Sequence, residues 1–386
     1  MKKLAKLLTF WIPIKQLRHK LRKNLSMFFI SLIPIRKNWI IMYDTFSKNG
    51  NGDSIRPIAE ELKRNYSNFK LFFVSEYKRD IDLADEVLIL NSNRYNYVLN
   101  RAKYLISPMD LPEEKRKNQI WVMTYHGSPI KKLYLSRDEN NIDYINYVKP
   151  FKYVDFYCDQ GSIQADIITE AFNLEKNQLL NCGLPRNDIL FKNDLNFKKN
   201  LRLQLGLPFD KKIILYCPTW RRYDYKCPIP FDIDCLRKYL QNEYVILMRS
   251  HVGKHTWVDK NNNPIKIFDN KFIFDGGQYP EVTSLYTISD ILISDYSSAI
   301  FDFAITRKPQ ILYIYDYEKY KKEFGLYFDY KDFSPFPKVK NEEEIISSIK
   351  NYPDISQEYE QFINNYLTYE NGNATDKILE KIGIKN

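Results

Sequence analysis

Four short polar clusters in this chain each follow an apolar run of the kind that forms a β-strand. They occupy residues 126–129 (His-Gly-Ser-Pro), 185–188 (Pro-Arg-Asn-Asp), 249–251 (Arg-Ser-His) and 295–298 (Asp-Tyr-Ser-Ser). Histidine can transfer a proton near neutral pH, and the planar guanidinium group of arginine suits a phosphate. These residue types together favour a cleft that binds a phosphorylated substrate.

The stretch 291–303, with the sequence ILISDYSSAIFDF, is the most informative of these places. An apolar run ends at Asp295, and apolar residues recur at helical spacing from Ala299 onward. The pattern predicts a strand, a tight turn and a helix that begins near Ser297 and Ser298. Serine hydroxyls and free backbone N–H groups at a helix start bind anions, so this turn is a candidate phosphate site.

His126 is the first candidate catalytic residue. It follows the strand-like run 120–125 directly, and Gly127 allows the chain to turn sharply after it. A histidine at a strand end in a cleft is a candidate general base. A structural histidine that is hydrogen-bonded within the turn is the alternative interpretation, and the residue alone does not decide between the two.

Arg186 is the candidate phosphate ligand of the second cluster. Its planar fork of donors matches a phosphate group. The alternative is structural: Asp188 could pair with Arg186 and cap the next helix.

Two further loops complete the set of candidates. Pro218 and Thr219 follow a predicted strand, where Thr219 and the next N–H groups could hold a phosphate or a nucleotide. Arg249, His251 and Lys254 form a compact basic cluster at another strand end. An ordinary polar loop and a solvated basic loop are the respective alternatives.

Strand-like and helix-like segments alternate along the chain in two series. Strands are predicted at 39–43, 69–74, 86–90, 103–107, 120–125, 156–158 and 178–182, and then at 212–216, 244–248, 272–274, 291–294 and 310–315. Two consecutive β/α series imply an α/β protein with two parallel-sheet domains. Because ligands of such sheets bind beyond the C-terminal strand ends, we expect a site between the domains.

The positive charge of the chain is confined to its N-terminal segment. Residues 1–38 contain ten Lys or Arg and no Asp or Glu, whereas the whole chain has 58 basic and 48 acidic residues. The rest of the chain is therefore formally neutral. A neutral body argues against a nucleic-acid groove, which needs its own excess of basic residues.

The same N-terminal segment also carries apolar residues at roughly helical spacing, namely Leu4, Leu8, Trp11, Leu17 and Leu21. A basic helix with Trp and Leu on its other face suits an anionic membrane surface, although a solvated helix packed on the body is the alternative. A second apolar run, 27–35, is shorter than the roughly 20 residues that span a bilayer. No secretory signal is recognisable, and we expect a peripheral protein at the cytoplasmic face of the membrane.

The chain has five cysteines, Cys158, Cys182, Cys217, Cys227 and Cys235. Their odd number and their spacing match no metal motif, which predicts free thiols in a reducing cytoplasm. Two Asp-x-Asp triplets, 80–82 and 232–234, lie away from the polar clusters and are common by chance. We predict no metal ion and no cofactor.

The polar clusters and their flanks together resemble the CDP-glycerol glycerophosphotransferases of wall teichoic acid synthesis. The resemblance rests on YHGSPIKKL, GLPRND, LYCPTWR, MRSH, ISDYSSAIFDFAITRKPQILYIYDYEKY and GLYFDY, which occur in the family's order between residues 38 and 335. It implies a glycosyltransferase-B-like fold with two Rossmann-like parallel-sheet domains and an interdomain cleft. The domains are predicted at 38–190, on the acceptor side, and 191–386, on the CDP-donor side, after a membrane-associating segment at 1–37.

The resemblance implies that the chain transfers glycerol phosphate from CDP-glycerol to a hydroxyl of a membrane-linked saccharide or polymer and releases CMP. His126 then looks like the base on the acceptor side, and His251, with Arg249, looks like a ligand of the donor phosphates that stabilises the leaving CMP. The other predicted donor-binding residues are Gly127, Ser128, Pro129, Arg186, Pro218, Thr219, Ser250, Ser297, Ser298 and Asp302.

Other functions stay open at this point. The same family includes ribitol-phosphate and capsular-polymer transferases, and Ser284 stands where many relatives have an acidic residue. A nucleotide-sugar glycosyltransferase on the same fold is a further alternative. A non-catalytic membrane adaptor is the last, and the presence of both His126 and His251 argues against it.

Overall fold

A computed structural model describes most of the chain. The described residues are 9, 21, 25, 29, 32–43, 52–109, 115–221, 227–250, 257–258, 267–277 and 279–385. His251 and most of the predicted membrane-associating segment lie outside them.

The first half of the chain forms a sheet of seven parallel strands in the order β3-β2-β1-β4-β5-β6-β7. These strands are β1 Arg36–Tyr43, β2 Lys70–Ser75, β3 Glu86–Ile89, β4 Ala102–Ser107, β5 Ile120–Met123, β6 Phe156–Asp159 and β7 Leu179–Asn181. Ile40 and Ile41 of the interior strand β1 are both fully buried, on opposite faces of the sheet. Burial on both faces explains why the strands are continuous apolar runs and not alternating ones.

Helices cover both faces of this sheet, as the right-handed crossovers between parallel strands require. They are α1 Ile55–Asn65, α2 Asn93–Leu99, α3 Tyr134–Arg137, α4 Ile142–Val148 and α5 Ser162–Phe172. Two of them begin at side chains that accept hydrogen bonds from the first turn, Ser92 for α2 and Asn141 for α4.

The second half forms a sheet of six parallel strands, β12-β10-β8-β13-β14-β15, and a separate pair, β11-β9. Its strands are β8 Lys212–Cys217, β9 Cys227–Pro228, β10 Tyr244–Met248, β11 Trp257–Val258, β12 Ile273–Asp275, β13 Ile291–Ser294, β14 Gln310–Tyr313 and β15 Lys338–Val339. The helices after the first domain are α6 Leu195–Gln204, α7 Ile233–Leu240, α8 Val282–Ile288, α9 Ala299–Ala304, α10 Tyr317–Phe324, α11 Glu342–Lys350, α12 Ser356–Tyr366 and α13 Ala374–Lys381. The prediction of two parallel-sheet domains is confirmed.

The last helix, α13, returns to the first sheet. Ile378 and Leu379 of α13 are fully buried in the same core cluster as Ile40 and Leu71. The domain boundaries stay a prediction, and a division at residue 190 does not describe this helix, because it completes one face of the first domain. The chain therefore passes between the domains twice, at the 3-10 segment Pro185–Phe191 and again before residue 374.

Within the part of the chain that the structure describes, none of the helices combines the length and the apolar character that crossing a bilayer would take.

Candidate active site

Three of the four polar clusters meet where the two domains face each other. Gly127 marks the meeting point: a methyl group added to it would lie 2.5 Å from Nη2 of Arg186 and 2.8 Å from Oγ of Ser298. Real side-chain atoms do not approach so closely, so only glycine fits here. This contact brings together predicted site residues of three polar clusters, those at 126–129, 185–188 and 295–298.

The His126 loop (residues 126–129) leaves the C-terminal end of β5 through a strained turn. Tyr125 has φ +52° and Gly127 has φ +120°, both outside the usual range for L-residues. The ring of His126 lies 4.0 Å from the ring of Tyr125, centroid to centroid. His126 is half-buried, and its ring packs against Tyr125 at the end of β5.

The middle of this loop is tied to the neighbouring strand end. The hydroxyl of Ser128 donates to Oε1 of Gln160, 2.6 Å away, and both residues are buried. Gln160 follows β6 directly. The proton of Ser128 is therefore already committed to a protein acceptor, which leaves only its oxygen lone pairs for a ligand.

Arg186 lies between the domains and has two carboxylate partners. Its Nη1 is 3.0 Å from Oδ2 of Asp53 in the first domain, and its Nη2 pairs with Oδ2 of Asp302 in α9 of the second. Burial lowers the pKa of Arg186, but the carboxylates of Asp302 and Asp53 outweigh it and raise the pKa above its ordinary value. The guanidinium is a fixed positive charge at the domain boundary.

Asp302 and Glu370 are joined by two amide side chains. Nδ2 of Asn187 donates to Oδ1 of Asp302 at 3.0 Å and to Oε1 of Glu370 at 2.9 Å. Nε2 of Gln160 donates to the same two atoms, at 3.2 and 2.8 Å. Burial raises the pKa of Glu370 to about 7, although the bonds from Asn187 and Gln160 act in the opposite direction. Glu370 precedes α13, so this network links both interdomain crossings.

Asp188 has a structural role that differs from the one considered above. Its two carboxylate oxygens accept from the backbone N–H groups of Ala374 and Thr375, at 2.9 and 3.0 Å. These groups open α13, so Asp188 caps the last helix and not the next one, and it does not pair with Arg186.

In the second domain, the loop after β8 is fixed to the turn after β13. The amide of Thr219 donates to Oδ1 of Asp295 at 2.8 Å, and its hydroxyl donates to the same atom. Arg221 bonds to Oδ2 of Asp295 at 2.8 Å and to Oδ2 of Asp316 at 2.7 Å. The aromatic rings of Tyr296 and Tyr320 lie against its guanidinium. Thr219 therefore shapes this loop, and both of its donors are occupied.

Arg249 is likewise engaged with the protein. Its Nη1 donates to the carbonyls of Gly276 and Tyr279, and its Nη2 donates to that of Pro280 at 3.0 Å. The side chain thereby anchors the loop that leads into α8, and Ser250 is buried beside it. His251, the next residue, lies outside the described part of the chain, so the structure does not show how it faces Arg249.

The 295–298 turn and α9 differ in detail from the predicted phosphate site. Oγ of Ser297 accepts from the amide of Ala299 at 3.2 Å, whereas Ser298 is the N-cap residue and makes no side-chain cap bond. The helix that follows has six residues. Ser298 faces Gly127 across the domain boundary, which leaves its hydroxyl at the cleft.

A cavity of about 640 Å³ lies beside Arg186 between the domains. Asp53 and Arg56 of the first domain line one wall, and Glu281 and Ser284 of the second line another. Its size falls within the range of small-molecule sites. Ser284, the residue that departs from many relatives, thus lies at the interdomain space.

Within the described residues, no group of three or more His, Cys, Asp or Glu side chains is placed to hold a metal ion. The absence of a metal and of a cofactor stays a prediction.

Three site residues were missed by sequence reasoning: Gln160, Arg221 and Glu370. Arg221 was within the quoted LYCPTWR motif, and its position after a strand was the available signal. Gln160 also follows a strand end directly. Glu370 lies far along the chain in a segment without a motif, and nothing in its neighbourhood signals the contact.

Comparison with known proteins gives one consistent family. The model of the family described as CDP-Glycerol:Poly(glycerophosphate) glycerophosphotransferase matches residues 26–383. A teichoic acid glycerol-phosphate transferase of Staphylococcus aureus is 33% identical over 379 residues, which cover 92% of this chain and 94% of the relative. A teichoic acid poly(glycerol phosphate) polymerase of Bacillus spizizenii is 32% identical, with 92% and 94% covered.

Solved structures agree with these sequences. A structure of the wall teichoic acid polymerase TagF has a TM-score of 0.82 at 26% identity and covers 99% of this chain and 96% of that one. A second TagF structure, from a crystal soaked with CDPG, has a TM-score of 0.82 at 27% identity, with 95% and 97% covered.

Proposed function

This chain belongs to the CDP-glycerol:poly(glycerophosphate) glycerophosphotransferase family, and we propose that it carries out its reaction in the cleft where the His126 loop meets Arg186 and Ser298. It is a transferase of teichoic acid synthesis that uses CDP-glycerol as the donor of glycerol phosphate. Its two domains form a glycosyltransferase-B-like fold.

The observation that supports this placement is the close approach of groups from both domains at Gly127. A hydroxyl acceptor attacks the phosphorus that carries glycerol, a new P–O bond forms, and the P–O bond to CMP breaks. His126, on the first domain, takes the proton of the attacking hydroxyl. Phosphoryl transfer depends on positioning and on neutralising charge, so a base and a cationic cleft suffice for these roles.

On the donor side, Ser297, Ser298, Arg249 and His251 hold the pyrophosphate. Ser298 offers a hydroxyl at the cleft, and Arg249 adds positive charge close to the phosphates even though its nitrogens also bond to carbonyls. Arg186 and Asp302 contribute as an ion pair that fixes α9 beside the donor. Ser298→Ala and His251→Ala should weaken CDP-glycerol binding, and Arg249→Met should weaken it more. Unchanged donor affinity by calorimetry in all three would contradict this placement.

The acceptor is a lipid-linked saccharide or polymer at the cytoplasmic face of the membrane. The basic segment 1–37 supports this, since anionic lipid attracts each Lys or Arg near the surface by about 1 kcal/mol. Docking there confines enzyme and acceptor to one surface.

The reaction is tested with purified full-length protein and a lipid-linked saccharide in liposomes. CDP-glycerol, CDP-ribitol and a UDP-sugar are supplied separately, and released nucleotide is measured. We expect CMP from CDP-glycerol. CMP from CDP-ribitol alone would assign the ribitol alternative, and UDP would assign a glycosyltransferase.

The membrane assignment is tested by deleting residues 1–37. The deletion should release the protein from anionic liposomes and leave CDP-glycerol binding intact. High salt should weaken the attachment of the full-length protein without abolishing it, because salt does not screen the apolar contribution. Full co-sedimentation of the shortened protein would show that the membrane contact lies elsewhere.

A further inference from the structure

We propose that Gln160 is a positioning residue that holds the His126 loop against the donor-side helix α9. This inference rests on the proposed role of His126 as the acceptor base. Gln160 acts through Ser128, which lies two residues after His126 and donates a hydrogen bond to Gln160.

The chemistry of the carboxamide group suits this task. Gln160 accepts a hydrogen bond from Ser128 with its oxygen and donates two with its nitrogen, to Asp302 and to Glu370. No carboxylate can donate these bonds, and no ammonium can accept the first one. The side chain is 3% exposed, so water does not replace a lost partner cheaply.

The surroundings of the loop show why this contact matters. Behind residues 127–129 lies a cavity of about 10 Å³, roughly the volume that one water needs. It is bordered by Oδ2 of Asp159 and by the amide atoms of Gln164, none of which has a hydrogen-bond partner in the protein. The space behind the loop is therefore partly polar, and the hydrogen bond from Ser128 to Gln160 holds the loop beside it.

The end of the loop is also held from the second domain. We name residues 325–327 the strap. The amide of Tyr327 donates to the carbonyl of Ile130 at 2.9 Å, and the amide of Lys132 donates to that of Gly325 at 3.2 Å. With the strap at the end of the loop, the bond between Ser128 and Gln160 is the side-chain contact that fixes its middle.

Gln160 thus couples three segments that are distant in the chain. Asp302 pairs with Arg186, and Glu370 precedes α13. The two hydrogen bonds that the amide group donates therefore form only when the two domains have the right relative position. When the domains are correctly placed, Ser128 is held and His126 faces the cleft. A displacement of about 1 Å in such a group can cost 10²-fold in rate.

The first experiment replaces the amide with an apolar side chain of similar length. Gln160→Met should lower kcat for CMP release by about 10²-fold and change the Kd for CDP-glycerol little. The matched control is Gln357→Met, on the exposed first turn of α12, which should keep normal kcat. A normal kcat in Gln160→Met would overturn the proposal.

A charge exchange tests the bonding pattern itself. Gln160→Glu places a third carboxylate beside Asp302 and Glu370 and should lower kcat further. In the double variant Gln160→Glu/Glu370→Gln, the new amide at position 370 can donate a hydrogen bond to the new carboxylate at position 160. We expect its kcat to be at least about tenfold higher than that of Gln160→Glu alone. No recovery would contradict the proposal, even if Gln160→Met proves too unstable to assay.

A readout independent of turnover separates this proposal from the assignment of the reaction. The chain has four histidines, so the ring signals of His126 can be identified by NMR through His126→Ala. They should shift or broaden in Gln160→Met and return in the double variant. Unmoved signals would overturn the positioning role, whereas a wild-type protein without CMP release would refute only the proposed function.

Discussion

The two sides of the cleft are built differently. On the donor side, Asp295 is bonded to Thr219 and Arg221, and Arg221 also reaches Asp316, all within one domain. On the proposed acceptor side, the His126 loop is bonded to Gln160 of its own domain, Gln160 is bonded in turn to Asp302 of the second domain, and the residues just after the loop are bonded to the strap. The proposed donor side is therefore fixed within one domain, whereas we expect the position of the proposed base to depend also on how the two domains meet.

The largest effect that we expect concerns the acceptor side. His126→Ala should lower turnover by about 10²- to 10⁴-fold, the usual range for a general base. Because His126 lies on the first domain and the proposed donor site on the second, donor affinity should change little. Turnover is measured as CMP release and donor affinity by calorimetry. Near-normal turnover would remove His126 from the mechanism.

Arg221→Met tests how strongly the buried ion pairs of the proposed donor side stabilise the fold. It leaves Asp295 and Asp316 as buried carboxylates without their cation, and we expect a loss of 3–5 kcal/mol in the free energy of unfolding, on the order typical of a broken buried pair. Urea denaturation measures it. The control is Arg307→Met, whose partner Glu360 is exposed and whose loss should cost about 1 kcal/mol or less. Equal costs in the two variants would show that the buried pairs of Arg221 stabilise the protein no more than an exposed pair does.

A smaller effect should appear where the domains meet, as a dependence of stability on pH. Burial raises the pKa of Glu370 to about 7, so the folded protein binds a proton that the unfolded chain releases at lower pH. The contribution of Glu370 to the free energy of unfolding is fully present below the pKa that its carboxyl has in the unfolded chain, and it is lost as the pH rises through about 7. Burial raises the pKa of Asp159 to about 7 as well, which adds in the same direction.

Glu370→Gln should therefore reduce the fall in the free energy of unfolding between pH 5 and pH 7.5, as followed by urea denaturation at several pH values. Glu360→Gln is the control, because its hydrogen bond from Arg307 lowers the pKa of Glu360 and its titration lies below this window. If the free energy of unfolding falls equally between pH 5 and pH 7.5 in Glu370→Gln and in the wild type, the Glu370 carboxyl does not take up a proton on folding in this range.

Much of the fold was predictable because it depends on local patterns. Buried parallel strands are continuous apolar runs, and the predicted strands 120–125 and 291–294 lie on β5 and β13. The helices after residue 315 were not assigned, since α10 and α12 are mostly polar and have only one buried face. No element was predicted around Lys198, where the structure has the helix α6.

The candidate site was predictable as a set of strand ends, but not as a network. Sequence shows that Thr219 and Arg186 follow strands, yet it does not show that their donors are occupied by Asp295, Asp53 and Asp302. Such pairs join residues 76 to 133 positions apart, and each depends on how two sheets are oriented. For the same reason the sequence did not predict a role for Glu370. Its partners Gln160 and Asn187 come close to it only because the chain returns to the first domain before α13.

The return of α13 also has a consequence for how the protein is made. Ile378 and Leu379 fill one face of the first sheet, although that sheet is otherwise complete by β7. During synthesis, part of the apolar face of the first sheet therefore stays uncovered after β7 until α13 has left the ribosome, which takes more than 180 further residues. The second domain, whose strands β8–β15 precede α13, can close its own sheet earlier. Translation thus completes the two domains in the reverse of their order in the sequence.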